Sequence, residues 1–185
     1  MISNHPPHFA IIGAGTAGLA TAILLARQNI QVSILEKASE LEPVGAGLLL
    51  QPSGLAVFEH LGLLDEVLRL GAKVTGLKGQ LPSGNLLVNS HYQQAHPDFY
   101  GVGIHRATLC HVLENKCREY SELITWQMNT DIQTLEETSD QVRVLGTKGG
   151  ESFDQAFDAV IIANGARSLL RPKEWVKVDQ AYPWG

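Results

Sequence analysis

The start of the chain alternates between short apolar runs and one longer segment with helical spacing. Residues His8–Ile12 form an apolar run that ends at Gly13, which is typical of a buried parallel strand. From Thr16 to Gln28 the apolar residues fall at helical spacing, and Asn29 is a typical helix stop. Residues Gln31–Glu36 alternate and end in a charge, which predicts a second strand. Together the three segments predict a βαβ unit.

The rest of the chain continues to mix strand-like and helix-like segments. We predict a glycine-rich loop over Pro43–Leu50, followed by a helix that Ser53 caps and Gly62 ends. The weak alternation of Lys73–Gly103 predicts short antiparallel strands. The remaining predicted elements are helices over Asp65–Leu70 and Arg106–Tyr120 and strands over Ile124–Trp126, Ile132–Leu135, Val142–Thr147 and Asp158–Ala163. This order predicts an α/β fold with a Rossmann-like parallel sheet and a β-meander.

Composition excludes several function classes. Of the 185 residues 44% are apolar and the mean hydropathy is −0.00, so a packed core is expected. Lys and Arg number 14 against 19 Asp and Glu, a net charge of −5, which argues against a nucleic-acid surface. The apolar stretches are too short for a membrane span, and no secretory signal is visible, so we expect a cytoplasmic protein. Cys110 and Cys117 do not make a disulfide framework, and no histidine pair predicts a metal site.

A glycine motif lies between the first strand and the first helix. The segment reads Gly13-Ala14-Gly15-Thr16-Ala17-Gly18 and fits G-x-G-x-x-G in the required context. In such a motif the first Gly allows a tight turn, the second lets a pyrophosphate approach the backbone, and the third lets helix and strand pack closely. Glu36 follows at the end of the second strand, where a carboxylate accepts hydrogen bonds from a ribose and disfavours a 2′-phosphate. The motif predicts dinucleotide binding, although glycines can also mark an ordinary βα turn, and it does not separate FAD from NAD.

Further segments line up in a fixed order along the chain. They are the glycine motif, Glu36-Lys37, Gly45–Ser53 with Leu61-Gly62-Leu63, Ile104–Leu109, and Asp158–Ser168 with Arg171. In this order they resemble the FAD-dependent aromatic-ring hydroxylase family, the single-component flavoprotein monooxygenases of the para-hydroxybenzoate hydroxylase type. The resemblance covers essentially the whole chain and implies a Rossmann-like FAD-binding fold with a partial antiparallel segment of a substrate domain.

The resemblance also implies roles for individual residues. Gly13, Gly15 and Gly18 would line the FAD pyrophosphate, and Glu36 would hold the adenosine ribose. Arg106 would contact the ribityl or phosphate region, although an exposed helix-start arginine is the alternative. The loop Gly45–Gln51 would pass near the isoalloxazine, unless it is an ordinary flexible loop. The residues assigned to the cofactor are therefore Gly13, Ala14, Gly15, Thr16, Ala17, Gly18, Glu36, Lys37, Gly47, Gln51, Arg106, Asn164 and Gly165. No catalytic side chain and no metal ligand is predicted, because the flavin carries the chemistry.

Two departures from the family pattern affect these expectations. The family's Asp-Gly motif is here Asn164-Gly165, which keeps an acceptor oxygen but loses the charge. This change weakens the expectation of NAD(P)H use more than that of FAD binding, and Asn-Gly is also a common turn. Family members are longer, with a later half that holds most of the substrate sheet, so the chain resembles a truncated N-terminal portion.

The expected organisation follows from the resemblance. Residues 1–72 and 104–175 would form the FAD-binding domain, and residues 73–103 and 176–185 would be parts of the substrate domain. The expected function is FAD binding within a monooxygenase that hydroxylates a small, aromatic substrate with O₂ and NAD(P)H, without competent hydroxylation by this chain alone. Alternatives are a non-catalytic FAD- or nucleotide-binding remnant and another flavoprotein oxidoreductase of the same fold. Exposed strand edges would favour self-association.

Overall fold

The computed structural model describes residues 6–41, 45–172, 174, 176, 178 and 180. Its strands are β1 His8–Ile12, β2 Gln31–Leu35, β3 Gly47–Leu50, β4 Ala72–Val74, β5 Gly76–Gln80, β6 Leu86–His91, β7 Gly101–His105, β8 Ile124–Gln127, β9 Thr130–Glu137, β10 Val142–Lys148, β11 Glu151–Phe157 and β12 Ala159–Ile162. Its α-helices are α1 Thr16–Ala26, α2 Pro52–His60, α3 Leu64–Leu70 and α4 Arg106–Arg118, with a short 3₁₀ helix over Tyr92–Gln94. The predicted α/β fold is thus confirmed.

The chain divides into two compact units. Unit 1 comprises Met1–Leu41 and Tyr120–Gly185, and unit 2 comprises Glu42–Glu119. These bounds differ from the sequence-derived domain limits, which stay a prediction. Of the expected substrate segment 176–185, residues 177, 179 and 181–185 lie outside the described residues.

Unit 1 is built on a parallel sheet in the order β12-β1-β2-β8. Its first two strands and α1 form the predicted βαβ unit, with Asn29 at φ +57 just after the helix. A three-stranded antiparallel meander, in the order β11-β10-β9, packs on the sheet. The core between them consists of Ala10, Ile12, Leu35, Ile132, Val144, Phe153 and Phe157. Strands β1 and β2 are covered on both faces, which explains their continuous apolar sequences.

Two predictions within unit 1 needed correction. The sequence pattern predicts two strands for the meander, but the structure has a third, β11. Its residues Phe153 and Phe157 point into the core while its other side chains are mostly exposed. The Gly149-Gly150 turn, with both residues at positive φ, marks its start. The strand predicted as buried at Asp158–Ala163 is only half-buried, since β12 lies at the edge of the sheet.

Unit 2 combines helices α2 to α4 with two small antiparallel sheets, β3-β7-β4 and β5-β6. The antiparallel strands predicted for Lys73–Gly103 are confirmed, as is the turn at Pro82–Asn85. Two details differ. Residues 47–50 of the predicted loop form β3, because they pair with β7, while residues 43 and 44 lie outside the described residues. Helix α2 begins at Pro52 after Gln51, not after Ser53, because proline fits the first helical position.

Candidate functional site

A cleft of about 420 Å³ opens in unit 1 at the carboxyl ends of β1, β2 and β12. Open parallel sheets bind ligands at this edge. Among the predicted site residues, Gly13, Gly15, Glu36, Lys37, Asn164 and Gly165 line the cleft. The structure adds Ile12, Leu35, Thr130, Asp131, Ile132, Ala163, Arg167, Ser168, Leu169 and Leu170. Ile12, Leu35 and Ala163 directly precede predicted site residues in the sequence. The others join the cleft only because β9 begins, and the segment after β12 runs, beside the ends of β1 and β2.

The three motif glycines serve three different purposes. Gly13 has φ +105, and a Cβ there would lie 2.7 Å from the Ala163 carbonyl oxygen, so the turn and the neighbouring strand both require glycine. A Cβ on Gly18 would lie 2.0 Å from the Gly13 carbonyl oxygen, which shows how closely α1 approaches the loop. At Gly15 the backbone is ordinary, with φ −73, and apart from its chain neighbours no atom of the described residues lies within 4 Å of the added Cβ. Of these three glycines, only Gly15 leaves space that the protein does not fill.

The N-terminus of α1 offers unpaired backbone donors beside that space. Gly15 is the N-cap residue, no side chain caps the helix, and its first turn contains no acidic residue. The N–H groups of the first turn have no partner within the helix, and the helix dipole is positive at this end. This arrangement suits a phosphate or another anion.

Glu36 connects the end of β2 to the glycine loop. Its Oε2 accepts a hydrogen bond from the Ala14 N–H at 2.8 Å, and its Oε1 accepts one from the Ala38 N–H at 2.9 Å. The main chain of Glu36 is also fixed, because its N–H donates to the Gln127 carbonyl and its carbonyl accepts from the Thr130 N–H. The carboxylate therefore lies in the cleft in a defined orientation. Each oxygen keeps acceptor capacity for a further donor.

The segment after β12 forms one wall of the cleft. Gly165 has φ +92, which favours glycine at this turn. The Ser168 N–H donates to the Gly165 carbonyl at 3.2 Å, and the Arg171 guanidinium donates to the Ala166 carbonyl at 2.7 Å. Asn164 is exposed at the cleft. The Asn-Gly turn is therefore present, with the amide of Asn164 available to a ligand.

The other predicted cofactor residues belong to unit 2. Gly47 pairs with His105 across β3 and β7, so it lies next to Arg106, the exposed first residue of α4. A Cβ on Gly45, at φ +136, would lie 3.1 Å from the Arg106 Cδ, so this glycine makes room for the arginine stem. Gln51 follows the other end of β3, and its Oε1 accepts a hydrogen bond from the Tyr92 hydroxyl at 2.8 Å. Their roles toward a cofactor stay predictions.

The described thiols are held in the un-ionised form. Burial raises the pKa of the Cys117 thiol to about 12, and Glu114 adds to the shift. Burial also raises the pKa of Cys110, against the opposing charge of Arg106. Thiols of this kind are unreactive, which supports a packing role. Within the described ranges, no group of three or more His, Cys, Asp or Glu side chains is arranged to hold a metal ion.

The sequence of this chain is similar to known FAD-binding proteins and hydroxylases. The model of a family described as the FAD binding domain matches residues 8–182. The 3-hydroxybenzoate 6-hydroxylase of Klebsiella oxytoca is 31% identical over 166 residues, which are 87% of this chain and 41% of that protein. The phenazine 1,6-dicarboxylic acid hydroxylase PhzS of Lysobacter antibioticus is 31% identical over 168 residues, covering 88% of this chain and 41% of the relative. The chain thus spans about two fifths of the length of these relatives.

A solved structure confirms the fold. The p-nitrophenol 4-monooxygenase PnpA of Pseudomonas putida DLL-E4 superimposes with a TM-score of 0.81 at 19% identity, over 89% of this chain and 42% of that one. No helix in the described part of the chain is long and apolar enough to cross a membrane.

The predicted resemblance to FAD-dependent hydroxylases is confirmed, since the FAD binding domain model and two relatives named as hydroxylases match nearly the whole chain. The glycine loop, the acidic residue after β2 and the open cleft are what a dinucleotide site requires. On the match over residues 8–182, the chain belongs to the FAD binding domain family.

Proposed function

We propose that this chain is the FAD-binding portion of a monooxygenase that hydroxylates a small aromatic compound with O₂ and electrons from NAD(P)H. The observation that carries the proposal is the open space at Gly15. Its backbone conformation suits any residue, and no described atom lies where its Cβ would be. The missing side chain therefore leaves room for a group outside the chain, next to an uncapped helix N-terminus.

The residues of the cleft fit the adenosine and diphosphate end of FAD. The N–H groups of Thr16, Ala17 and Gly18 would donate to the diphosphate, whose charge the helix dipole stabilises. Glu36 would accept hydrogen bonds from ribose hydroxyls with its remaining lone pairs. Lys37 would add positive charge at the cleft. When bound, FAD supplies the redox and oxygen chemistry, and the chain's task is to hold and orient it.

The proposal also keeps the cofactor roles that the family resemblance implies for residues of unit 2. Arg106 is exposed and permanently charged, with a planar fork of donors that suits phosphate or ribityl oxygens. Gly47 is the first residue of strand β3, and Gln51 is the residue just after that strand. Asn164 and Gly165 would contribute from the cleft, where Asn164 offers an uncharged acceptor in place of a carboxylate.

The substrate class rests on the relatives alone. Their names specify 3-hydroxybenzoate and phenazine 1,6-dicarboxylic acid, both aromatic acids. An aromatic substrate is therefore the best-supported proposal for the whole protein. The electron donor NAD(P)H and the cytoplasmic location stay predictions from the sequence.

The Gly15→Ala variant tests the proposed function. We expect it to fold like the wild type, because the added methyl group meets no protein atom. It should bind FAD about tenfold or more weakly, because a single misplaced group at a close backbone approach removes hydrogen bonds to the diphosphate. Flavin fluorescence quenching measures the affinity, and circular dichroism checks the fold.

Gly103→Ala is the matched control, since its added Cβ would make only ordinary contacts at 3.8 Å and 4.0 Å. It should leave FAD binding unchanged. Wild-type affinity in Gly15→Ala, or no FAD binding by the wild type, would contradict the proposal.

We also propose that the isolated chain self-associates through its exposed hairpin. Leu77 is 63% exposed and Leu87 is 66% exposed on β5 and β6, and exposed apolar strands favour pairing with another copy. Light scattering of the Leu77→Thr, Leu87→Thr double variant should show less association than the wild type at equal concentration. Equal scattering from both proteins would refute this.

A further inference from the structure

Glu36 makes two contacts that concern the protein itself, whether or not a cofactor is bound. Its two carboxylate oxygens each accept one backbone hydrogen bond, from Ala14 in the glycine loop and from Ala38 after β2. Ala14 is only 4% exposed, so its N–H depends on a protein partner. The carboxylate is that partner in the structure.

The position of the Ala14 amide is linked to the shape of the glycine loop. Gly13, the residue before it, holds φ +105, and its own N–H donates to the Leu35 carbonyl at 2.8 Å. Consecutive N–H groups of the loop are thus both bound to the end of β2, one by main chain and one by the Glu36 side chain. Gly15, whose position stays open toward the cleft, follows directly.

From these contacts we propose that Glu36 is a positioning residue that holds the glycine loop in its binding conformation before any cofactor arrives. The inference rests on the proposed function and deepens it. The ribose would then use only the lone pairs that the two backbone N–H groups leave free. Loss of this carboxylate would weaken binding of the diphosphate as well as of the ribose.

The chemistry of the side chain explains why glutamate suits this task. An ionised carboxylate is an acceptor at both oxygens, whereas an amide at the same place would present one donor to a backbone N–H. Aspartate keeps the charge but is shorter by one methylene group, so it does not reach both Ala14 and Ala38. Glu36→Asp therefore removes the connection without changing the charge near the phosphate.

The experiment compares Glu36→Asp with Glu40→Asp, an exposed carboxylate on the same segment. Amide hydrogen exchange of the cofactor-free proteins is followed by NMR. Titrations with inorganic pyrophosphate, which has no ribose, and with FAD, which has one, then measure the two binding affinities. In Glu36→Asp we expect about tenfold faster exchange at Ala14, because its buried N–H loses its hydrogen-bond partner. We also expect weaker binding of both ligands. Glu40→Asp should match the wild type in each measurement.

Unchanged exchange at Ala14, or unchanged pyrophosphate affinity together with weaker FAD binding, would overturn the proposal and leave Glu36 as a ribose ligand only. In the wild-type protein, the Ala14 amide should also exchange more slowly than the Thr16 amide in the uncapped first turn of α1. Equal rates would count against the proposal even if Glu36→Asp fails to fold. If the wild type binds neither FAD nor pyrophosphate, the proposed function fails, while the exchange rates still test the positioning role.

Discussion

The βαβ crossover of unit 1 and the β5–β6 hairpin of unit 2 both contain consecutive apolar residues, yet they differ sharply in burial. Ile11, Leu19 and Ile34 of the crossover are fully buried. In β6 every residue is exposed, including Leu86 and Leu87. Apolar sequence alone therefore did not decide which strands form the core.

The difference arises from what covers each pair of strands. Ile11 faces α1, since its Cγ2 lies 3.3 Å from a Cβ built on Gly18, whereas Ala10 and Ile12 face the meander. Among the described residues, β5 and β6 pair only with each other. A two-stranded hairpin gains little stability by itself, because it has neither a third strand nor a covered face.

Shortening one leucine in each region should give the largest difference in the free energy of unfolding between the two regions. Leu19→Ala removes a fully buried side chain and should lower the free energy of unfolding by about 2–5 kcal/mol through lost burial and a cavity. Leu87→Ala should change it by less than about 0.5 kcal/mol, because the side chain is exposed. Urea denaturation measures both. Similar losses would show that the hairpin is part of the same cooperative core.

Adding one methyl group in each region should give a smaller difference in stability between the two regions. Gly18→Ala places a Cβ 2.0 Å from a backbone oxygen, so we expect a loss of about 1–3 kcal/mol despite the better helix propensity of alanine. Gly79→Ala on β5 meets the Val88 Cγ1 at 2.9 Å, and that half-exposed side chain can rotate. Thermal unfolding should therefore show a clear loss only for Gly18→Ala. A stable Gly18→Ala protein would mean that α1 shifts easily on the loop.

The smallest effect should come from pH, at the amino end of β1, away from the cleft. The His8 Nε2 lies 2.9 Å from the buried Ser33 Oγ, and the ring packs edge-on against Phe157. Burial lowers the pKa of His8 below 6.5, against the opposing charge of Asp158. The contribution of His8 to the free energy of unfolding should therefore be fully present above about pH 6.5. It should be lost as the pH drops through the lowered folded-state pKa, because the unfolded chain binds the proton more readily.

A His8→Gln variant serves as the control, since its side chain does not titrate. Its melting temperature should lose part of the wild-type dependence between neutral and mildly acidic pH. An unchanged slope would assign that dependence to other groups.

The elements nearest the glycine motif were the most predictable. The strand and helix periods of His8–Glu36 are complete within the segment itself, so β1, α1 and β2 appeared almost at their observed bounds. The glycine-rich sequence of β3 predicts a loop, because only the pairing with β7 makes this segment a strand. Strand β11 was missed since its buried residues, Phe153 and Phe157, lie four positions apart.

The sequence by itself determined the crossover, the three glycines and the acidic residue after β2, because these depend on local backbone geometry and on spacing within one βαβ unit. Only the tertiary structure placed β12 beside β1, so that Ala163 meets Gly13 and the segment after β12 becomes a wall of the cleft. Likewise, only the folded chain showed that Glu36 binds two backbone amides. Pairing between strands that are distant in sequence brings such groups together, and no local sequence pattern predicts that pairing.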